Sequence, residues 1–272
     1  MSVMQRKITL LTGIPRSGTT LCCYLINKST KALALHEPIN PQKLTATSCQ
    51  QAIDEVAVRI HDIEHKITNG LPFEHGDKNS IALDNPVAEN NASGIRKVQA
   101  VRGNITLAPC SKDIPLFIKQ NALFTSLLPD LQKQFPVVGI VRNPVNVLLS
   151  WMQVDLPVNK GHIPAGERFD PALKRLLNSM ECNLSRQLSI YHWFTQNFLS
   201  AGIPVVRYED ILLSGGQRLF NELAIHTKHQ ELTQKHRQFE SAHKDKLRSH
   251  INELSALSPF YSYEEVCKAL TP

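Results

Sequence analysis

The sequence predicts an α/β fold with a central parallel sheet flanked by helices. Short apolar runs recur along the 272-residue chain with helical stretches between them, a pattern typical of parallel strands joined by crossover helices. Hydrophobic residues make up 42% of the chain, which is enough to bury one sizeable core. We therefore expect a single domain over residues 1–272 that carries loop insertions, rather than two separate domains.

Five apolar runs are the candidates for strands of the central sheet. We place these strands near residues 6–12, 32–36, 114–119, 137–142 and 203–207. The carboxyl ends of parallel strands meet at one edge of a sheet, and ligands bind beyond that edge. Polar residues that directly follow these strands are therefore candidates for a functional site.

Helical periodicity and turn-rich composition predict the remaining segments. Apolar residues at helical spacing predict a helix near 51–67 and a longer one over 173–198. Gly, Pro, Asn, Asp and Ser are concentrated at about 68–94 and 154–171, which we interpret as insertions that shape a binding site. The C-terminal part, about 227–272, is predicted to be helical and charged.

Charge and cysteine content limit the class of protein. The net charge of +6 suits an anionic ligand, although mixed surface charge gives the same total in many enzymes. The six cysteines form no C-x-x-C pair, so neither a zinc site nor a disulfide framework is predicted. No apolar stretch approaches the roughly 18 residues of a membrane span. We expect a cytoplasmic protein that binds no nucleic acid, and the oligomeric state stays open.

The stretch TGIPRSGTT, residues 12–20, follows the first predicted strand and has the G-x-x-x-x-G spacing of a phosphate-binding P-loop. A nucleotide-hydrolysing loop continues with Lys, which reaches the β- and γ-phosphates, but this chain has Thr19 and Thr20. The N-terminus of the following helix can still bind a phosphate through its N–H groups. We therefore predict a nucleotide whose 5′-phosphate carries something other than a phosphate chain, with Arg16 able to reach the bond beyond it.

The loop resembles the 5′-phosphosulfate loop of sulfotransferases, and its PRSGTT form is most similar to that of tyrosylprotein and carbohydrate sulfotransferases. A second family motif is a strand, an Arg and a Ser eight residues later, which hold the 3′-phosphate. VVGIVRNPVNVLLSW supplies Arg142 and Ser150 at that spacing. Asn143 can cap the helix between them, with Pro144 in its first turn.

The resemblance implies the fold, the ligand and part of the site. It implies a P-loop-like fold, 3′-phosphoadenosine-5′-phosphosulfate as sulfonate donor, adenosine 3′,5′-bisphosphate as product, no metal, and an acceptor that offers a hydroxyl or amine. PVVRYEDIL resembles a late family segment that brings Tyr208 near the nucleotide. The predicted nucleotide-binding residues are Pro15, Arg16, Ser17, Gly18, Thr19, Thr20, Arg142, Ser150 and Tyr208.

Sulfonate transfer needs a base for the acceptor proton and positive charge at the leaving phosphate. Glu37, in ALALHEPIN, resembles the catalytic glutamate of tyrosylprotein sulfotransferases, and we take it as the base. Lys119 resembles the family lysine that contacts the bridging oxygen and the sulfonate, and Arg16 is the second cation. His36 is the alternative base, but alternation along a strand predicts that it points away from the face used by Glu37.

Other functions stay open at this point. The phosphate loop also fits a P-loop kinase or another nucleotide-dependent transferase, and the charge fits a non-catalytic nucleotide- or polyanion-binding protein. HDIEH, residues 61–65, matches a zinc-peptidase pattern, although His61 and His65 lie beside the apolar stripe of their helix. The basic glycine-containing segment that covers the nucleotide in cytosolic sulfotransferases is not visible. Lys244, Lys246 and Arg248 are candidate substitutes for it, although such a charged run more often forms a solvated helix face.

Overall fold

The computed structural model of the protein, which describes residues 6–87, 95–227, 232, 239 and 241–271, has a central five-stranded parallel sheet. The strand order is β2-β5-β1-β6-β7, and the remaining two strands form a small antiparallel pair, β3-β4. The strand bounds are β1 Ile8–Gly13, β2 Leu33–His36, β3 Phe73–His75, β4 Gly103–Ile105, β5 Leu116–Lys119, β6 Val137–Val141 and β7 Val205–Arg207.

Helices cover both faces of the sheet. The helix bounds are α1 Thr19–Lys28, α2 Cys49–Asn69, α3 Ala122–Ser126, α4 Leu128–Leu131, α5 Pro144–Met152, α6 Pro164–Phe169, α7 Pro171–Asn178, α8 Asn183–Ala201, α9 Tyr208–Leu213, α10 Gln217–Glu222, α11 Ser241–Arg248, α12 Ile251–Ala256 and α13 Tyr263–Lys268. Short 3₁₀ turns lie at Pro41–Lys43 and Pro157–Lys160. No helix within these described residues is long and apolar enough to cross a membrane.

Alternating strand residues pack into two separate apolar clusters, one on each side of the sheet. Along β5, Leu116 and Ile118 belong to the larger cluster, with α2, α5 and α8, whereas Phe117 belongs to the smaller one, with α1 and α10. Because both faces are covered, the strands are near-continuous apolar runs. This explains why simple apolar runs located all five strands of the main sheet, with differences of one or two residues at their ends.

The predicted helix over 173–198 is two helices, so that prediction was wrong. Asp170 caps α7 by accepting from Ala172 N and Leu173 N, and the chain turns before α8 begins at Asn183. In the turn, the Arg186 guanidinium donates to the Met180 carbonyl from both Nε and Nη2, at 2.8 and 2.5 Å. The apolar stripe continues across the turn because both helices pack on the same core.

The predicted insertions contain more structure than their composition indicated. The first one includes β3, which pairs with β4 beyond the predicted segment. The second includes a 3₁₀ turn and α6, and it buries Val158, Ile163 and Phe169. In the C-terminal part, α11 confirms a charged helix over 241–248, while residues 228–231, 233–238 and 240 lie outside the described residues.

Candidate functional site

A cleft of about 540 Å³ runs along the carboxyl edge of the main sheet. Five groups line it in the order of the strands they follow: Glu37 after β2, Lys119 at the end of β5, the phosphate loop after β1, Arg142 after β6 and Tyr208 after β7. Neighbouring strands lie about 4.8 Å apart, so the row spans about 19 Å. The volume of the cleft is within the range of about 300–1,000 Å³ that is common for ligand sites.

The phosphate loop presents the start of α1 to the cleft. Gly18 is the N-cap, with a left-handed φ of 89°, and it provides no side chain to accept from the first turn. Helix α1 begins at Thr19, so its first N–H groups have no acceptor within the helix. Thr19 and Thr20 also line the cleft. An anion at this position would meet N–H groups, hydroxyls and the positive end of the helix dipole.

Three contacts hold the loop against the rest of the fold. Ile14 N donates to the Ile140 carbonyl at 3.2 Å, and the Ser17 hydroxyl donates to the same oxygen at 3.0 Å. Trp151 Nε1 donates to the Pro15 carbonyl at 2.8 Å. Ser17 is fully buried and holds the loop against β6, whereas Pro15, Arg16 and Gly18 line the cleft.

Tyr208 lies between the loop and Arg142. A Cβ atom on Gly18 would lie 2.3 Å from Cδ2 of the Tyr208 ring, so only glycine permits this approach. On the other side, the guanidinium carbon of Arg142 is 4.5 Å from the centre of the same ring. Arg142 also donates from Nη1 to the Arg16 carbonyl at 3.3 Å. The structure thus brings together the predicted residues of three strand ends.

Ser150 lies beneath two arginines. Its hydroxyl accepts from Arg16 Nε at 3.3 Å and from Arg96 Nη2 at 3.4 Å. Arg16 also donates to Asn85 Oδ1 at 3.3 Å, so the first insertion reaches the phosphate loop. Ser150 is fully buried and does not line the cleft, whereas Arg142 does. Within this pair of motif residues, Arg142 is therefore the one that the cleft exposes directly.

Glu37 and Lys119 form a close ion pair at the opposite end of the row. Lys119 Nζ lies 2.6 Å from Glu37 Oε1, and the lysine side chain is 2% exposed against 35% for the glutamate. Burial raises the pKa of Glu37, but the charge of Lys119, together with His36, the Lys119 hydrogen bond and Arg102, more than offsets this effect and lowers the pKa to about 2. Glu37 is therefore a carboxylate at neutral pH.

His36 and its neighbour Glu37 both contribute to the lining of the cleft. Glu37 has a left-handed φ of 47°, outside the extended conformation in which side chains alternate between faces. Burial and the charge of Lys119 lower the pKa of His36 to about 3. At neutral pH the imidazole is therefore uncharged, and its environment opposes protonation.

Several residues near the site had no sequence signal that pointed to them. Arg96 contacts Ser150, and Asn85 contacts Arg16. Asn85 comes from the turn-rich insertion over about 68–94, where composition predicted only a loop, and Arg96 lies two residues beyond that segment. The main-chain contact of Arg96 is tertiary: Arg96 N donates to the Gln153 carbonyl at 2.9 Å, next to the end of α5. A charged residue beside an exposed loop has no periodic pattern that would identify such a contact.

Other candidates lie away from the cleft. His61 and His65 are exposed on α2, and the described residues include no cluster of three or more potential metal ligands. Lys244, Lys246 and Arg248 belong to α11, which packs against α5, and none of them lines the cleft as the described residues form it.

Comparison of the chain with known protein families gave no matching family, and a search of curated proteins gave no match. Any function proposed for the chain therefore depends on its sequence motifs, its fold and the geometry of its cleft.

Proposed function

We propose that the protein is a sulfotransferase that moves a sulfonate group from 3′-phosphoadenosine-5′-phosphosulfate to a hydroxyl or amine of an acceptor. The observation that supports this proposal most is a juxtaposition. A phosphate loop without the nucleotide-hydrolysing lysine shares one cleft with a carboxylate–lysine pair, Glu37 and Lys119, from the neighbouring strands. This combination suits transfer of a charged group from a 5′-phosphate to a nucleophile that must lose a proton.

In the proposed reaction, the acceptor oxygen or nitrogen attacks sulfur in line with the bridging oxygen of the donor. The new bond to sulfur forms as the bond between sulfur and the 5′-phosphate oxygen breaks. The electron pair of the broken bond stays on the leaving adenosine 3′,5′-bisphosphate, and Glu37 takes the acceptor proton. Lys119, Arg16 and the N–H groups at the start of α1 would stabilise the charge on the leaving phosphate.

The ion pair links donor binding to the strength of the base. In the free protein the pKa of Glu37 is lowered to about 2, with Lys119 the largest lowering cause, which makes this carboxylate a weak base. A donor phosphosulfate is a competing anion for the Lys119 ammonium. Once Lys119 is shared with the donor, its effect on Glu37 weakens and the carboxylate becomes more basic. Base strength would therefore rise only when the donor is present.

The other end of the row supports the choice of a 3′-phosphorylated nucleotide. Arg142 lies on the Tyr208 ring, and within the described residues it forms no ion pair. A guanidinium can bind a phosphate through two parallel hydrogen bonds. Arg142 lies one strand beyond the phosphate loop, so a second phosphate on the ribose is the ligand group that it fits.

The direct test is to incubate the purified protein with the donor and a panel of phenols, alcohols, sugars, tyrosine peptides and amines in the presence of EDTA. We expect sulfonated product and a matching amount of bisphosphate from at least one acceptor class. EDTA should not stop the reaction, because the donor has no β,γ-phosphates for Mg²⁺ to bridge. Bisphosphate binding without transfer to any acceptor would favour a binding protein, and Mg²⁺-dependent phosphoryl transfer from ATP would favour a kinase.

A further inference from the structure

Strand β2, which leads into Glu37, is an edge strand of the main sheet. The backbone N–H and C=O groups on the side of β2 that faces away from β5 do not pair with another strand of this sheet, so they need other hydrogen-bond partners. The Asn27 side chain satisfies Ala34, accepting from its N–H at 2.7 Å and donating to its carbonyl at 2.9 Å. At His36 the partners come from the end of β3: His36 N donates to His75 Nε2 at 2.9 Å, and Gly76 N donates to the His36 carbonyl at 2.8 Å.

These contacts fix the tautomer of His75. A backbone N–H can only donate, so His75 Nε2 must be the unprotonated acceptor. The ring proton is then on Nδ1, which donates to the Asp77 carbonyl at 2.7 Å. The Asp77 N–H lies 3.2 Å from the same Nδ1 and cannot donate to it in this tautomer, so the shorter contact with the carbonyl is the hydrogen bond. His75 is fully buried, and burial lowers its pKa, which keeps the imidazole neutral as this arrangement requires.

The same segment determines the backbone of the candidate base. Gly76 lies so close that a Cβ at this position would be 2.5 Å from the His36 carbonyl oxygen and 3.2 Å from Glu37 Cβ. The Glu37 carbonyl accepts from Arg102 Nη1 at 2.7 Å, and its N–H donates to the Lys119 carbonyl at 2.8 Å. A non-glycine residue with a φ of 47° is strained unless its surroundings hold it.

We propose that His75 is a positioning residue for Glu37. Its neutral imidazole takes the place of a missing neighbouring strand at the end of β2, and so holds the left-handed turn that directs the Glu37 carboxylate to Lys119. The small β3-β4 sheet then has a defined role in the cleft, as the support of its acid–base end. The effect on turnover rests on the proposed function, but the effect on Glu37 itself does not.

The test compares two substitutions of His75. His75→Leu removes the acceptor for His36 N–H, whereas His75→Gln can place an amide oxygen near the position of Nε2. Uniform ¹³C labelling of glutamate allows the Glu37 carboxyl signal to be titrated by NMR between pH 3.5 and 7, with Glu37→Gln identifying the signal. Val56→Ala, a fully buried change on α2, controls for general loss of stability.

In the wild-type protein, His75→Gln and Val56→Ala, we expect no titration of Glu37 above pH 3.5. In His75→Leu the contact with Lys119 is lost, and the Glu37 midpoint should rise toward the ordinary value near 4.5. If His75→Leu does not fold, Gly76→Ala tests the same turn and should give the same rise. A Glu37 signal that still fails to titrate above pH 3.5 in the folded variant would overturn the proposal.

Turnover gives a second and separable readout. We expect kcat of His75→Leu to fall by about 10²-fold, the usual scale for a small displacement of a reacting group, while bisphosphate affinity stays within twofold. A shifted Glu37 titration in a protein whose wild type transfers no sulfonate would support the positioning role and contradict the proposed function. Equal losses of kcat in His75→Gln and His75→Leu would count against the hydrogen bond as the cause.

Discussion

The two ends of the cleft differ in how their charges are balanced. At the β2-β5 end, the buried Lys119 is paired with a carboxylate at 2.6 Å, and a neutral histidine lies beside them. At the β6-β7 end, Arg142 lies on an aromatic ring and, within the described residues, forms no ion pair. A pair that is already neutral suits proton transfer, whereas a cation without a carboxylate suits a phosphate. Under the proposed function, chemistry would belong to the first end and nucleotide recognition to the second.

Removing the base should give the largest effect, and only on turnover. Glu37→Gln keeps the side-chain shape but cannot accept a proton, so kcat should fall by about 10²–10⁴-fold, as measured in steady-state assays of sulfonate transfer. Affinity for the bisphosphate should be nearly unchanged, because Arg142 and Tyr208 lie at the other end of the row. His36→Asn is the matched control at the neighbouring position and should have a mild effect.

The opposite result would change the assignment. If His36→Asn abolished turnover and Glu37→Gln left it intact, His36 would be the base. The resemblance of the Glu37 segment to glutamate-using sulfotransferases would then lose its main support.

Removing the Lys119 or Arg16 cation should lower both turnover and donor affinity. Lys119→Ala and Arg16→Ala should each lower kcat by about 10²–10³-fold, because positive charge at the leaving phosphate is lost. Both changes should also weaken donor binding, since a cation this close acts in the ground state as well. Stopped-flow or calorimetric binding beside steady-state kinetics separates the two effects. Normal donor affinity in both variants would contradict a direct contact with the phosphosulfate.

Substitutions at the β6-β7 end should have a smaller effect, and one that depends on which nucleotide is bound. A hydrogen bond to a charged group is worth about 1.5–3 kcal/mol, so Arg142→Ala should weaken the bisphosphate by roughly tenfold or more. Binding of 5′-AMP, measured by calorimetry, should change little. Ser150→Ala should have a smaller effect, because Ser150 is buried and, of the two arginines that donate to it, Arg16 lines the cleft whereas Arg96 does not. Equal losses for both nucleotides would show that Arg142 does not recognise the 3′-phosphate.

A still smaller change is expected in the pH dependence of turnover. The profile of kcat/KM reports on the free protein, and the profile of kcat reports on the donor complex. Because the pKa of Glu37 is lowered to about 2, its carboxylate is ionised above about pH 4 in the free protein, and kcat/KM for the donor should show no acid limb from Glu37 above that pH. If the donor shares Lys119, the acid limb of kcat should lie at higher pH. Coincident limbs in the two profiles would contradict the coupling.

Stability should follow the same lowered pKa values. The pKa of His36 is lowered from 6.5 to about 3, so the folded state resists protonation of this imidazole more than the unfolded state does. The free energy of unfolding therefore has its full value from this group above pH 6.5 and decreases as the pH falls toward 3. Glu37 adds to the free energy of unfolding above pH 4.5, and this stabilisation is lost as the pH falls toward 2. Urea unfolding between pH 4.5 and 7 should therefore show a shallower pH dependence in His36→Gln than in the wild-type protein.

The sequence predicted the sheet and the residues at its edge better than it predicted what supports them. All five main strands are apolar runs, and the residues after them line the cleft because strand ends must meet at one edge. The β3-β4 pair was missed because each strand has three residues and the first lies in a turn-rich segment. His75, Gly76 and Arg102 contact the Glu37 turn only through tertiary structure, and no local pattern reports such contacts.

The difference between the two ends can be tested most directly by nucleotide binding to the wild-type protein. Isothermal titration calorimetry would compare adenosine 3′,5′-bisphosphate, 5′-AMP, and ATP with Mg²⁺. If Arg142 recognises a 3′-phosphate and the loop lacks the β,γ-phosphate lysine, the bisphosphate should bind at least tenfold more tightly than either competitor. Tighter binding of ATP with Mg²⁺ than of the bisphosphate would contradict this account.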